Sequence, residues 1–313
     1  MTSEVLAVLV RLSTVGTLGM LIVGLLRAPG RRAVGSEAAY WLWLLVPASL
    51  IAVLLPRAPA CLCAPDALVS PLLIRVIVAP ELAPSITGSS CAPTVTCMWG
   101  LGASTVLIYF AFCQWVLRRS LGLLQRRADG TYWSPMAEHP MLVGAWHPQI
   151  VLPREFDTRY SASERSLILA HERAHVERRD AMTNCIALAL VCVFWFHPLM
   201  YWAWNRFRFD QEVACDAAVI RQSKVPHRRY AQALAKTQLT NPTAIAFGWR
   251  RRHPLIERIA ILRRPTPTRN RRLLGYAFAL ALTLCGAYIV WVAQPGLPDS
   301  RIESNSRIVI APR

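Results

Sequence analysis

Apolar residues along this chain neither alternate at the period of a strand nor recur as one helical stripe; they come in blocks. Four blocks, at residues 5–26, 38–55, 98–117 and 273–292, reach or approach the ~20 apolar residues that carry a helix across about 30 Å of hydrocarbon. One block alone reads equally well as a buried helix of a soluble protein. Four together predict a mainly α-helical, polytopic membrane protein. The first block contains Arg11, starts near Met1 and shows no small-residue cleavage site, so it is expected to be a retained span and not a removable leader. A different pattern occupies 142–152, where Gly144, Pro148 and Pro153 punctuate an apolar run and predict an edge strand or β-hairpin.

Composition agrees with the blocks. Of 313 residues, 54% are hydrophobic and 17% charged, which excludes a disordered chain, a collagen and an acidic interaction tail. Charge then orients the spans. Between Arg118 and Arg272 lie 26 of the 35 Lys and Arg against 12 of the 18 acidic residues, so +14 of the net +17 sits in that stretch. Positive charge beside span ends stays on the cytoplasmic side. Arg27, Arg31 and Arg32 place the turn after the first span there as well. The expected organisation is three spans within 1–117 with an outside loop at 57–97, a cytoplasmic region at 118–272, a fourth span at 273–292 and an outside tail at 293–313.

Four of the nine cysteines, Cys61, Cys63, Cys91 and Cys97, fall in the outside loop, where an oxidising compartment permits one or two disulfides. Zinc chelation is the rival, but Cys-x-Cys with a six-residue gap fits a finger poorly. The apolar segment 71–80 of that loop is too short to span and is expected to lie on the membrane surface or form a small lid.

The chemistry is concentrated in the basic region, at His171-Glu172-Arg173-Ala174-His175. Ser161 or Ser163 starts the helix, and the apolar run to Ala170 leads into the motif. Positions four apart share a helix face, so both imidazoles reach one Zn²⁺ at about 2.0–2.1 Å. Glu172, one step round, is placed to take a proton from a water acidified by the ion and to pass it to a leaving amine. A third protein ligand is needed. Arg178 stands where an extended motif has glycine, Met182 is no ligand, and Glu177 faces away. Glu212 is the better candidate. Asp216 shares its face and is placed to fix a zinc histidine; Asp180 is a weaker candidate for that role. A solvated acidic face is the plain alternative for Glu212 and Asp216.

A further apolar stretch, 186–204, separates the two motifs. As a span it would leave Glu212 across the membrane from the histidines, whereas Pro198 is able to end one helix and begin another. An antiparallel hairpin over 183–204 is therefore expected, its tip near His197 and Pro198 buried in the bundle or dipping into the bilayer. An edge strand at 142–152 would be able to pair with a substrate backbone, with Gly144, Pro148, Ile150 and Pro153 as the substrate-strand candidates, or simply cover the helices.

Together, His171-Glu-x-x-His175, Trp195-Phe-His-Pro198 and Glu212-x-x-Cys-Asp216 resemble the BlaR/MecR-type membrane zinc metallopeptidases, the antirepressor group that includes the β-lactam-resistance signal transducers. Residues 140–153 and 255–262 resemble the strand and closing helix of that group, and the likeness covers about 1–292. The resemblance implies a gluzincin-like cytoplasmic domain with one Zn²⁺ held by His171, His175 and Glu212, and Glu172 as general base and acid. It also implies a bacterial inner-membrane protein that cleaves a cytoplasmic repressor, of winged-helix type, or itself. His197 stands where the family commonly has Asn. No Ser-x-x-Lys or Lys-Thr-Gly occurs, so direct covalent β-lactam sensing is not expected.

Two other classes draw on the same residues. A zinc-stabilised receptor or scaffold without turnover would keep the ligands and tolerate loss of Glu172. Nucleic-acid binding by arginines such as Arg250 and Arg252 is less expected than contact with anionic lipid headgroups. A homodimer is left open, and the oxyanion-stabilising donor is unassigned among Tyr230, His227 and Arg229.

Overall fold

The computed structural model describes residues 2–56, 92–223, 225–239 and 254–294. Cys61, Cys63 and Cys91, the segment 71–80, Arg250 and Arg252 lie outside these, and no disulfide forms among the described residues. Four helical segments are long and apolar enough to cross a membrane. They are α1 (Thr2–Ala33), a second built from α2 (Ser36–Tyr40), a 3-10 turn (Trp41–Leu44) and α3 (Leu45–Leu54), then α4 (Ala92–Ser120), and finally α11 (Arg269–Val292). Even the 19-residue segment Ser36–Leu54 covers about 29 Å at ~1.5 Å per residue, close to the hydrocarbon thickness. Leu101 and Ile108 of α4 are 71% and 67% exposed, an outward apolar surface that lipid solvates and water would not.

Between α4 and α11 the chain builds a sheet and a helical cluster. Strands β1 (Gln125–Arg126), β2 (Tyr132–Ser134), β3 (Met141–Val143) and β4 (Gln149–Pro153) form one four-stranded sheet in the order β1-β2-β4-β3. β2 runs parallel to β4, and β3 pairs antiparallel with β4 from Met141↔Val151 to Val143↔Gln149. The sheet is thus larger than the expected hairpin, because β1 and β2 are too short to show any alternation. Gly144 turns β3 towards β4 at φ 95°, and a Cβ there would lie 2.8 Å from the His147 carbonyl oxygen, so this turn requires glycine.

The substrate-strand candidates sit in and beside this sheet. Ile150 and Pro153 belong to β4, the inner strand between β2 and β3, where Ile150 pairs with Leu142 and Pro153 with Ser134. The outer strands are β1 and β3; Gly144 and Pro148 flank the connection between β3 and β4.

Helix α5 (Phe156–Arg159) leads into α6 (Ala162–Glu177), whose start is a capping box. The Glu164 amide donates to Ser161 Oγ at 3.3 Å, and the Ser161 amide donates back to Glu164 Oε2 at 2.8 Å. Two adjacent residues, about 100° apart round the helix, are buried in different clusters. Ile168 packs with Ile150, Leu152, Phe156 and Tyr160 in one, on the sheet side, and Leu167 packs with Cys215, Val219, Tyr230 and Leu255 in the other. Each such side chain contributes about 1.5–3 kcal/mol when fully buried.

Helix α7 (Asp180–Val193) and α8 (Pro198–Ser223) form a hairpin that rises into the bundle and returns, so that Gln211 Nε2 lies 3.5 Å from the Asp180 carbonyl where α7 began. Its tip meets the spans. Trp99 Nε1 of α4 donates to the Val193 carbonyl at 2.9 Å, Trp195 Nε1 donates to the Trp99 carbonyl at 3.2 Å, and Thr17 Oγ1 of α1 lies 2.9 Å from His197 Nε2. Val191, Phe194 and Met200 join Val23, Leu42 and Val46 in one core. Helices α9 (His227–Leu239) and α10 (Pro254–Leu262) close over α6 and α8.

Candidate metal centre

Three side chains from two helices converge where α6 crosses α8. His171 and His175, four residues apart on α6, bring their Nε2 atoms to 3.2 Å from each other. Glu212 of α8 places Oε2 3.5 Å from His171 Nε2 and Oε1 3.7 Å from His175 Nε2. All three ligand atoms lie within 4.8 Å of one another. In a tetrahedral zinc site with bonds near 2.0–2.1 Å, ligand atoms stand roughly 3.3 Å apart. The observed separations match that edge.

Each histidine is fixed from behind through Nδ1. His175 Nδ1 donates to Asp180 Oδ2 at 2.7 Å. His171 Nδ1 faces the Tyr230 hydroxyl at 2.9 Å and Asp216 Oδ1 at 3.3 Å, while Tyr230 donates its own hydroxyl proton to Asp216 at 2.7 Å. With both protons on Nδ1, both Nε2 lone pairs point inward, the tautomer a metal requires. Asp180 reaches His175 because Arg179 adopts left-handed backbone geometry, φ 55°, which turns the chain sharply between α6 and α7. The Cys215 thiol also donates to Asp180 Oδ2, at 3.2 Å.

Arg258 of α10 closes the rear of the site. Its Nε and Nη2 donate to the two oxygens of Asp216, each at 2.8 Å, and Nη1 lies 3.0 Å from Glu212 Oε2. Such a fork holds one carboxylate by both oxygens and reaches the second in the same plane. Burial disfavours charge on Asp216, but Arg258 outweighs it and holds that carboxyl well below the ordinary range. Burial likewise opposes ionisation of Glu212, yet the His171 hydrogen bond and the Arg258 charge bring it down to about 2. Burial also works against charge on His171; hydrogen bonds to Asp216 and Glu212 prevail and raise it to about 10. Glu172 moves the other way from Glu212. Burial pushes its carboxyl up, partly offset by the charges of His171 and His175 and of His139 on the β2–β3 connection.

His171, His175 and Glu212 come together, and Asp216 and Asp180 divide the support of the two rings between them. Of the oxyanion candidates, Tyr230 is committed to Asp216 and His171, His227 Nδ1 to the Leu262 carbonyl at 2.6 Å, and Arg229 is exposed. His197 stays at the hairpin tip beside Thr17 and is not part of the His171, His175 and Glu212 cluster. Arg258 is the residue that sequence reasoning missed. A lone arginine in an arginine-rich stretch carries no signal of its own.

Comparison with known proteins adds an independent line. Over 104 residues the chain is 32% identical to the regulatory protein BlaR1 of Bacillus licheniformis, a stretch covering 33% of this chain and 17% of that protein. Over 154 residues it is 27% identical to the methicillin resistance mecR1 protein of Staphylococcus aureus, covering 46% of this chain and 26% of the relative; the Staphylococcus epidermidis protein matches equally. The chain thus spans about a sixth to a quarter of the length of the curated relatives it matches. The profile of the BlaR1 peptidase M56 family matches residues 7–262, from the first span through α10. With that match across most of its length, the chain belongs to the BlaR1 peptidase M56 family.

Proposed function

We propose that this protein is a membrane-embedded zinc endopeptidase of signal transduction, with its active site on the cytoplasmic side, which cleaves a cytoplasmic transcriptional repressor or itself. The observation that carries this reading is the near-tetrahedral spacing of His171 Nε2, His175 Nε2 and Glu212, each imidazole held from behind. Two histidines and one glutamate form a gluzincin-type set with room for a fourth ligand.

Held by these three side chains, a zinc ion supplies Lewis-acid chemistry, polarising a scissile carbonyl and lowering the pKa of a water to about 7. The chain supplies the rest. Glu172, beside His171 on α6, takes a proton from the attacking water on its carboxylate and delivers it to the leaving amide nitrogen. Its raised pKa suits both halves of that transfer. Asp180, Asp216 and Tyr230 hold the rings in register, and Arg258 holds Glu212 and Asp216 together. The β3 edge, which packs along α6, is the place where an extended substrate would pair. The Arg-rich ends of the spans set the cytoplasmic orientation, by the same charge rule that orients the first turn.

Metal analysis of the purified full chain, alongside cleavage of itself or of an added winged-helix repressor, tests the reading. One zinc per chain and cleavage that a chelator abolishes are expected. A chain without stoichiometric zinc would sink it.

A further inference from the structure

Asp210 sits two residues before Glu212 on α8, its side chain only 3% exposed. Its partners among the described residues all come from the transmembrane unit. Arg27 of α1 donates to it through Nε at 2.7 Å and Nη2 at 2.8 Å, Arg31 donates through Nη1, and Trp43 of the 3-10 turn donates through Nε1 at 2.9 Å. The next residue, Gln211, is buried too and donates to the Tyr40 hydroxyl at 3.3 Å. Arg31 also reaches towards the other support of the site, with Nη2 3.9 Å from Glu257, the neighbour of Arg258.

Two residues on a helix are about 200° apart round its axis and about 3 Å along it. One face of this turn of α8 is therefore clamped by α1, while the opposite face presents Glu212 to the histidines. A buried carboxylate gripped through both oxygens has a discrete geometry, since sliding α1 against α8 would leave charges unpaired out of water. We infer that Asp210 is a positioning residue: with Arg27 and Arg31 it makes the placement of the first transmembrane helix set the metal affinity of the centre. This inference rests on the reading of His171, His175 and Glu212 as zinc ligands.

The test is zinc affinity of the full chain in lipid nanodiscs, measured by competition with a chromogenic chelator, together with the melting temperature of each variant. Glu212→Ala tests the underlying reading, which fails if that variant keeps wild-type zinc affinity. Arg27→Met should bind zinc about ten- to a hundredfold more weakly, the loss typical when support behind a ligand is removed. Trp43→Phe should shift affinity the same way by a smaller factor. Thr17→Val cuts the contact of the same helix with His197, remote from the ligands, and should lower the melting temperature while zinc affinity holds. Wild-type affinity in Arg27→Met and Trp43→Phe overturns the inference, and so does an equal loss in Thr17→Val. If Arg27→Met does not fold, Trp43→Phe against Thr17→Val decides.

Discussion

The carboxylate of Asp180, the first residue of α7, lies 2.7 Å from Nδ1 of His175 in the last turn of α6, and the two face each other through the left-handed turn at Arg179. Asp180 is itself buried and also accepts from Cys215 and Arg178. This is the geometry that orients a metal-binding imidazole. Asp180→Asn should weaken zinc binding about ten- to a hundredfold with secondary structure retained. Chelator competition and circular dichroism check it, and an unchanged zinc affinity would show that the contact is only packing.

Glu172 is placed to move protons and contributes no atom to the converging ligand set. Glu172→Gln should retain one zinc per chain while hydrolysis of a fluorogenic peptide pool falls about 10²–10⁴-fold. A variant that keeps cutting at the wild-type rate would assign the proton transfer to another group and favour a non-catalytic scaffold for this carboxylate.

Arg258 neutralises Asp216, which is fully buried. Arg258→Met leaves that charge unmatched and should cost about 3–5 kcal/mol in denaturant unfolding. Arg258→Lys should recover only part, because an ammonium is unable to fork across two carboxylate oxygens. Equal stability of the methionine variant and the wild type would contradict the assignment of Arg258 as the closing charge.

Stability of the metal-free protein should depend on pH in a direction set by the same cluster. His171 is raised from 6.5 to about 10, so its contribution is full below pH 6.5 and is lost as pH rises through about 10. Glu212 is lowered from 4.5 to about 2, so its contribution is full above pH 4.5 and is lost as pH falls through about 2. The chelated protein should therefore melt highest between about pH 4.5 and 6.5. Zinc requires neutral imidazoles, so the loaded protein should escape the alkaline decline, and the gap between the two should widen with pH. Parallel slopes above pH 7 in thermal melts with and without chelator would refute this.

What the chain determines by itself is what is periodic or local. Block length determines the spans, four-residue spacing puts His171 and His175 on one face, and Ser161 with Glu164 writes the start of α6 three residues apart. Glu212 was legible as a candidate from Asp216 one helical turn beyond it; Pro198 allowed the chain to turn back, and the hairpin of α7 and α8 does return it to Asp180. Tertiary structure alone decided the rest. Which carboxylate serves which ring, the buried closure by Arg258 across 42 residues, the clamp of Arg27 on Asp210 across 183, and the inner position of β4 all depend on contacts between segments far apart in sequence. Such pairings leave no period along the chain, because burial and charge matching are satisfied only once distant helices have packed.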